Sequence, residues 1–202
     1  MTVRPLSATE AQAVTETLCE AFYDYPVMRW VLESAGADYD RQLSRMVGYF
    51  VAARVFRDEP LLGIDHRGRL GGVAMVSDPK GPPSPPELGA EREAVWADLG
   101  QEARSRYEVF GEACAPLLVQ EPHLHLNMIG TLHAARGRGY GRTLLEYVHA
   151  MSKRDPNSGG VSLTTEDPAN VPLYESFGYE ITGHARVSAD VETWAFYRPD
   201  RR

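Results

Sequence analysis

Three glycines that alternate with arginine and tyrosine mark the stretch of this sequence with the clearest potential to bind a ligand. The segment HAARGRGYGRTLLEYV places Gly137, Gly139 and Gly141 immediately before an apolar pattern typical of a helix. Glycine permits close approach of a ligand and positive φ, and a helix N-terminus carries partial positive charge. The stretch therefore predicts an anion site built from main-chain N–H groups.

The spacing of the glycines restricts which anion this turn can hold. A P-loop requires a lysine after its last glycine, and the turn has none. The dinucleotide fingerprint G-x-G-x-x-G/A fails in both registers, because its third glycine position falls on arginine or leucine. The kinase glycine loop has the same spacing and fails for the same reason. What remains is Arg-x-x-Gly-x-Gly, carried by Arg136, Gly139 and Gly141.

A second group of polar residues follows one helix and one strand later, in TTEDPANVPLYESFGYE. Asn170 and Tyr174 are four residues apart and therefore share a face of a short helix. Asn170 is predicted as the N-cap of this helix, with Pro172 in its first turn and Gly178 at its C-terminal cap. A capping asparagine and a core tyrosine are the structural alternatives for the pair.

The elements that must position these groups follow from the hydrophobic periodicity. The predicted order is strand, two helices, two strands, a helical insertion, strand, helix, strand, helix and two strands. Ser7 and Glu10 form a capping box before the first helix, and Pro26 ends or bends that helix. The pattern predicts an α/β (α+β) fold with a mixed, mostly antiparallel sheet, a central parallel βαβ crossover and flanking helices.

One domain is expected over residues 1–202. Residues 79–120 depart from the strand pattern, since PKGPPSPP is predicted as an extended surface linker. Glu87–Val119 is predicted to be helical and broken near Gly100 and Gly111. We expect this linker and helical insertion to separate the third and fourth strands.

The segments IGTLHAARGRGYGRTLL and NVPLYESFGYEITG together resemble motifs of the GNAT superfamily of N-acetyltransferases. The specific motifs of this resemblance lie within roughly Leu124–Val187. The elements before this segment also follow the order found in that fold. EAFYDYPVMRWVL and LHLNMIGT are similar to antibiotic- and amine-detoxifying members such as puromycin N-acetyltransferase. The sequence departs from the family pattern at one position. The family often has proline three residues before the first arginine of the turn, which is Arg136 here, and this chain has His133 at that position.

The resemblance implies acetyl-CoA as co-substrate and assigns roles by position. The backbone of Ile129 and Thr131 contacts pantetheine and the acetyl carbonyl, Asn170 bonds the pantetheine region, and Tyr174 protonates the departing thiolate. Arg136 and Arg142 add charge-assisted contacts to the pyrophosphate. The main-chain amides implied to hold that pyrophosphate are those of Arg136, Gly137, Arg138, Gly139, Tyr140, Gly141 and Arg142.

The general base is left open by the sequence. His125 is one candidate, because the ordinary pKa of histidine lies near neutrality. In a regular strand His123, His125 and Asn127 would lie opposite Leu124, Leu126 and Met128, and a bulge would reverse the facing. Sheet-bonded structural histidines are the alternative; Glu166 and Tyr25 are further candidates. No third ligand accompanies the two histidines, so no metal is expected.

An acceptor pocket for an aromatic or cationic amine is a further hypothesis. Trp30, Tyr23 and Tyr49 could line it, or they could equally belong to the core.

Composition sets the remaining expectations. The net charge of −7 argues against nucleic-acid binding, and there is no apolar run of membrane-spanning length. Cys19 and Cys114 form neither a metal pair nor a disulfide framework, and MTVRPLSATEAQAV lacks a signal-peptide core, so a cytoplasmic location is expected.

The predicted function is acetyl-CoA-dependent N-acetylation of a primary amine on a small molecule, an antibiotic or another xenobiotic among the options. Direct attack is expected, because neither cysteine is placed by the turn motif. The alternatives are a non-catalytic acyl-CoA sensor and a protein or peptide N-acetyltransferase. A homodimer is compatible with this prediction.

Overall fold

Seven strands form one sheet in the computed structural model, which describes residues 1–200. Their order across the sheet is β1-β2-β3-β4-β5-β7-β6, and all neighbours are antiparallel except the parallel pair β4 and β5. This confirms the predicted mixed sheet with a central parallel crossover. The strands are β1 Arg4–Pro5, β2 Leu61–His66, β3 Arg69–Ser77, β4 Leu124–Thr131, β5 Gly160–Thr165, β6 Glu180–Arg186 and β7 Glu192–Pro199.

Seven α-helices cover the two faces of the sheet within residues 1–200. The helices are α1 Ala11–Ala21, α2 Pro26–Val31, α3 Tyr39–Phe56, α4 Pro86–Leu99, α5 Gln101–Cys114, α6 Tyr140–Arg154 and α7 Val171–Ser176. The Ser7–Glu10 capping box is present and starts the 3-10 turn before α1. Pro26 opens α2, where its missing N–H costs no helical hydrogen bond.

The helical insertion lies between β3 and β4, as predicted. Gly100 separates α4 from α5. Its φ of 92° is not helical, and this backbone conformation is accessible to glycine but strained for other residues. The predicted break at Gly111 is wrong, since Gly111 lies inside α5.

Two apolar cores lie on opposite faces of the sheet. On one face α1, α2, α3 and the insertion pack on residues such as Val73 and Met75; on the other, α6 and α7 pack on residues such as Ala74 and Val76. The alternation along β3 follows from the two-residue period of a strand.

A bulge in β4 changes which side chains face each core. Met75 pairs with Met128 and Val76 pairs with Leu126, so Asn127 is an extra residue in β4. Leu126 packs on the α6 face and Met128 on the α1–α3 face. The facing predicted for a regular strand, with Met128 beside Leu124 and Leu126, is therefore wrong, and the bulge named as its alternative is present.

Within residues 1–200, no helix combines the length and the apolar character that crossing a membrane requires.

Candidate active site

The site begins where β4 and β5 diverge. These parallel strands pair only through Leu124 with Val161 and His125 with Ser162. Beyond this point a cavity of about 600 Å³ lies along the separated strands, and both Ile129 and Thr131 line it. The edge of β4 that lacks a β5 partner is therefore exposed to a ligand, since strand main-chain groups need hydrogen-bond partners.

The glycine turn ends in a helix N-terminus whose N–H groups are open. Gly137 and Gly139 have φ of 72° and 79°, and Gly139 is the N-cap of α6 without a side-chain capping bond. The first hydrogen bond of the helix runs from Thr143 N to Gly139 O at 2.9 Å, which leaves the preceding amides of the first turn without helical acceptors. A Cβ at Gly137, Gly139 or Gly141 would meet no atom within 4 Å, so the space above the turn can admit an anion.

The amide of Arg136 differs from the others proposed to bind the anion. Its N–H donates to His133 O at 3.2 Å, so the open amides are those of residues 137–142. The Arg136 side chain lines the cavity. The Arg142 guanidinium lies 4.8 Å from the centre of the Phe177 ring, beside the same helix N-terminus.

Tyr140 anchors the turn to the sheet. Its hydroxyl lies 2.8 Å from His66 Nδ1 at the end of β2. Its ring occupies the space beside Gly71, where an added Cβ would lie 2.7 Å from the ring. The Tyr140 side chain is thus structural, and only its amide is free for the anion.

A second tether joins the turn to α1. The His133 N–H donates to Glu20 Oε1 at 2.8 Å, while the His133 side chain is exposed. Proline has no N–H and could not make this bond. The departure from the family pattern at position 133 therefore has a physical reason in this chain.

Tyr174 and Asn170 both line the cavity, as their shared helical face predicts. The ring of Tyr174 packs against Tyr179 and Phe196, with centroids 5.8 and 5.7 Å apart, so Tyr174 is both a core aromatic and a cavity residue. Burial, together with the charge of Glu166, raises the pKa of Tyr174 to about 12. Tyr174 is therefore a neutral hydrogen-bond donor at physiological pH.

The predicted helix cap is made by another residue. Asp167 Oδ1 accepts from Ala169 N at 2.9 Å and caps the 3-10 turn that leads into α7. Asn170 stands at the N-cap position of α7 but makes no capping bond. Its Nδ2 donates instead to Thr165 Oγ1 at 3.1 Å, which holds the amide against the end of β5.

Glu166 is the buried carboxyl group of the site. Thr193 Oγ1 donates to Glu166 Oε1 at 2.8 Å, and the Glu166 N–H donates to the Tyr25 hydroxyl at 2.9 Å. That hydroxyl lies 2.9 Å from Thr165 Oγ1, the atom that also receives the Asn170 bond. Burial raises the pKa of Glu166 to about 7, so it exchanges a proton near neutrality.

His125 also lines this cavity, but its pKa is lowered whereas that of Glu166 is raised. Its Nδ1 lies 2.8 Å from Ser162 Oγ, across the last paired position of β4 and β5. Burial, with smaller effects of His123 and Arg54, lowers the pKa of His125 to about 4. The nearby His123 binds elsewhere, its Nδ1 lying 2.6 Å from Glu121 O. Neither histidine contributes to a cluster of metal-binding side chains within residues 1–200.

The acceptor side of the cavity is lined by aromatic side chains from four helices or their ends. Of the three aromatics predicted, Tyr49 lines it; Tyr23 is exposed and Trp30 lies outside the lining. The other aromatic residues that line it are Phe22, Tyr25, Phe50, Tyr107 and Phe110. Tyr107 and Phe110, three apart on α5, show that the insertion forms a wall of the pocket. The proline-rich segment also reaches the cavity, through Ser84.

Both cysteines are unactivated thiols. Burial raises the pKa of Cys19 to about 11, and burial with the charge of Glu166 does the same to Cys114. A nucleophilic cysteine needs a lowered pKa. These thiols therefore agree with direct transfer of an acyl group to the acceptor.

One segment of the chain matches a known family. Residues 92–181, from α4 into β6, match the family model described as Acetyltransferase (GNAT) domain. The chain therefore contains a GNAT acetyltransferase domain, the domain of an acyltransferase that uses acetyl-CoA as co-substrate. The open amides, the positive φ glycines and the clear space above the turn fit a pyrophosphate.

Solved structures share the fold over the whole chain. The histone acetyltransferase HPA2 and related acetyltransferase from Corynebacterium glutamicum is 21% identical with a TM-score of 0.68, and the match covers 100% of this chain and 97% of that one. The polyamine N-acetyltransferase of Drosophila melanogaster, which forms N-acetylagmatine, is 20% identical with a TM-score of 0.57, and the match covers 98% of this chain and 99% of that one. The C-terminal condensation domain of Ebony, in complex with β-alanyl-dopamine, is 15% identical with a TM-score of 0.67 and 98% coverage of both.

Proposed function

We propose that this protein transfers the acetyl group of acetyl-CoA to a primary amine of a small molecule by direct attack. The observation that supports the proposal most strongly is one continuous cavity. It runs from Arg136 beside the glycine turn, past Tyr174 and the separated strands, to Glu166 and the aromatic acceptor side. A cavity of this size is in the usual range for small-molecule sites.

The glycine turn and β4 would hold the co-substrate. Amides of residues 137–142 would bind the pyrophosphate, and the Arg136 and Arg142 side chains would add charge. Main-chain groups of Ile129 and Thr131 would orient pantetheine and the acetyl carbonyl, where an N–H stabilises developing negative charge. Asn170 would contact the pantetheine region.

Tyr174 is the proposed acid for the departing thiolate. Its proton stays on oxygen at neutral pH because the pKa of Tyr174 is raised to about 12. Full transfer from so weak an acid to a free thiolate is uphill, so the phenol would mainly stabilise the sulfur charge by donating a hydrogen bond while the C–S bond breaks.

Glu166 is the better-suited acceptor of the amine proton. An ammonium must lose one proton before its nitrogen can attack, and a carboxylate with a pKa of about 7 can take it near neutrality. His125 remains the second candidate, as a neutral imidazole in the same cavity. Its pKa of about 4 makes it a weak proton acceptor at neutral pH.

A primary-amine screen read by mass spectrometry tests the proposed function. Purified protein, acetyl-CoA and single amines should give released CoA thiol and an acceptor heavier by one acetyl group. Aminonucleosides such as puromycin belong in the panel because of the motif resemblance. Tight CoA binding without acetyl transfer to any amine would instead favour the sensor alternative.

A parallel assay with peptides and a whole-protein lysate tests the second alternative. A cavity of about 600 Å³ favours small acceptors, so we expect small amines to be acetylated at higher kcat/KM than peptide amines. We place the reaction in the cytoplasm, with the two free cysteines as support.

A further inference from the structure

The charges on the acceptor side of the cavity are arranged unevenly. The carboxylates that line it within residues 1–200 are Glu166 and Asp167, which lie together at the end of β5. Asp167 is engaged by the Ala169 N–H in the turn before α7. The negative charge available to an acceptor therefore lies at this end of β5, where Glu166 is beside Tyr174.

Another wall of the pocket carries cations from the last turn of α3 and its end. Arg54 and Arg57 both line the cavity. Arg54 is 11% exposed; its Nη1 donates to Asn127 Oδ1 at 2.8 Å and its Nε lies 3.0 Å from Glu59 Oε2. Arg57 shares the same carboxylate, with its Nη1 3.8 Å from Glu59 Oε1. The two guanidiniums line the cavity, whereas the carboxylate of Glu59 that they share does not, so this wall presents positive charge to a ligand.

A buried donor on this wall lacks a partner. Arg57 Nε is buried and makes no hydrogen bond to any part of residues 1–200. A buried unpaired donor is costly, and a ligand acceptor placed beside it would remove that cost. Aromatic side chains add apolar surface to the lining, and the rings of Phe50 and Tyr107 stack with their centroids 5.9 Å apart.

We propose that the acceptor is an aromatic monoamine whose far end is neutral or anionic, and that Arg54 and Arg57 exclude amines carrying a second positive charge. This inference rests on the proposed function and specifies its substrate class. The single cationic group, the reacting amine, lies at Glu166, the ring packs among the aromatic side chains, and a hydrogen-bond acceptor faces Arg57. A second cation would stand against two guanidiniums in a partly desolvated pocket, where like-charge repulsion is strong.

Three matched amines test the proposal on the wild-type protein. They are phenethylamine, its para-carboxylate and its para-trimethylammonium derivative, which share one reactive amine and differ in the charge at the far end. We expect kcat/KM for the trimethylammonium compound to be about 10-fold or more below that of phenethylamine, and kcat/KM for the carboxylate to be equal to or above it. Agmatine and spermidine should be poor acceptors.

A charge reversal on the cationic wall extends the test. Arg57→Glu should reverse the order of the two charged derivatives, while Arg57→Met should reduce the difference between them. Arg41→Gln is the matched control on α3, because Arg41 is exposed, pairs with Asp38 and Asp98, and lies outside the cavity lining. This control should keep the wild-type order. Thermal unfolding of each variant checks the fold, and the wild-type series decides the matter if Arg57→Glu does not fold.

The outcomes separate this inference from the proposed function. Efficient acetylation of the trimethylammonium compound or of polyamines by the wild type would overturn the inference and leave the acetyltransferase function intact. An unchanged order in folded Arg57→Glu would likewise overturn it. Absence of transfer to every amine would overturn both.

Discussion

The two proposed halves of the site differ in the chemical groups that form them. The proposed co-substrate half consists largely of main chain: the amides of residues 137–142 beside the cavity and the unpaired edge of β4. The proposed acceptor half consists of side chains: the carboxyl group of Glu166, the guanidiniums of Arg54 and Arg57, and aromatic rings. The first half uses groups that every residue carries, whereas the second depends on which residue stands at each position.

This difference predicts different responses to substitution. In the co-substrate half a change matters when it alters φ or blocks the space above the turn. In the acceptor half a change matters when it alters charge, proton affinity or ring contact. Tyr174 lies between the halves and should affect the chemical step more than the binding of either substrate.

Tyr174→Phe should produce the largest effect. Loss of the phenol removes the hydrogen bond to the developing sulfur charge, and kcat should fall by about 10²-fold or more while KM for both substrates changes little. The measurement is single-turnover kinetics with saturating acetyl-CoA, where chemistry limits the rate. Full turnover in this variant would refute the acid role.

Glu166→Gln should lower kcat/KM by about 10²-fold at neutral pH. The wild-type profile of kcat/KM for an amine of low pKa should rise with pH through about 7, as Glu166 loses its proton. The glutamine variant should lose this inflection, because its amide cannot titrate. A profile that keeps the inflection would assign the proton acceptor elsewhere.

The same variant should change the pH dependence of stability. Because the pKa of folded Glu166 is raised to about 7 from its ordinary 4.5, its protonation stabilises the fold below about pH 4.5, and this contribution is lost as pH rises through about 7. Glu166→Gln should therefore match the wild type at pH 4 and be more stable above pH 8, by up to roughly 3 kcal/mol. Denaturant unfolding at the two pH values measures this; equal stability at high pH would contradict the raised pKa.

Gly139→Ala should weaken co-substrate binding by about 10-fold. An alanine at φ of 79° costs roughly 1–2 kcal/mol, and relief of that strain would move the amides away from the anion. KM for acetyl-CoA should rise with little change in kcat. Gly111→Ala is the control: it lies inside α5 with open space for a Cβ, and should slightly stabilise the helix without changing KM.

His125→Gln should have the smallest effect, less than about fivefold on kcat/KM at pH 7. Its pKa of about 4 keeps the ring neutral there, so its loss mainly removes the bond to Ser162. The pH profile of this variant should keep the rise through about 7. If this variant lost the rise through about pH 7, His125 and not Glu166 would be the acceptor of the amine proton.

The contrast between main chain and side chains also explains what the sequence could predict. The order of elements and the glycine turn were predictable, because periodicity and the need for positive φ are local properties. The bulge at Asn127 was not, because it depends on pairing with β3. Phe50 and Arg57 are seven residues apart and share a face of α3 and its C-cap, but Tyr107 joins them from α5 only through tertiary packing, which no local spacing predicts. Glu166 could be named as a candidate base, but its raised pKa depends on burial that only the fold supplies.

The tether at position 133 has a practical consequence for measuring ligand binding. Because residue 133 is held by its main-chain N–H and carbonyl while its side chain is exposed, this position should accept a cysteine carrying a fluorophore beside the proposed co-substrate turn. The two natural thiols, with pKa values raised to about 11, should react far more slowly with such a label at neutral pH. The chain thus offers a selectively labelled reporter whose emission could be titrated with CoA or with candidate amines separately, without requiring turnover.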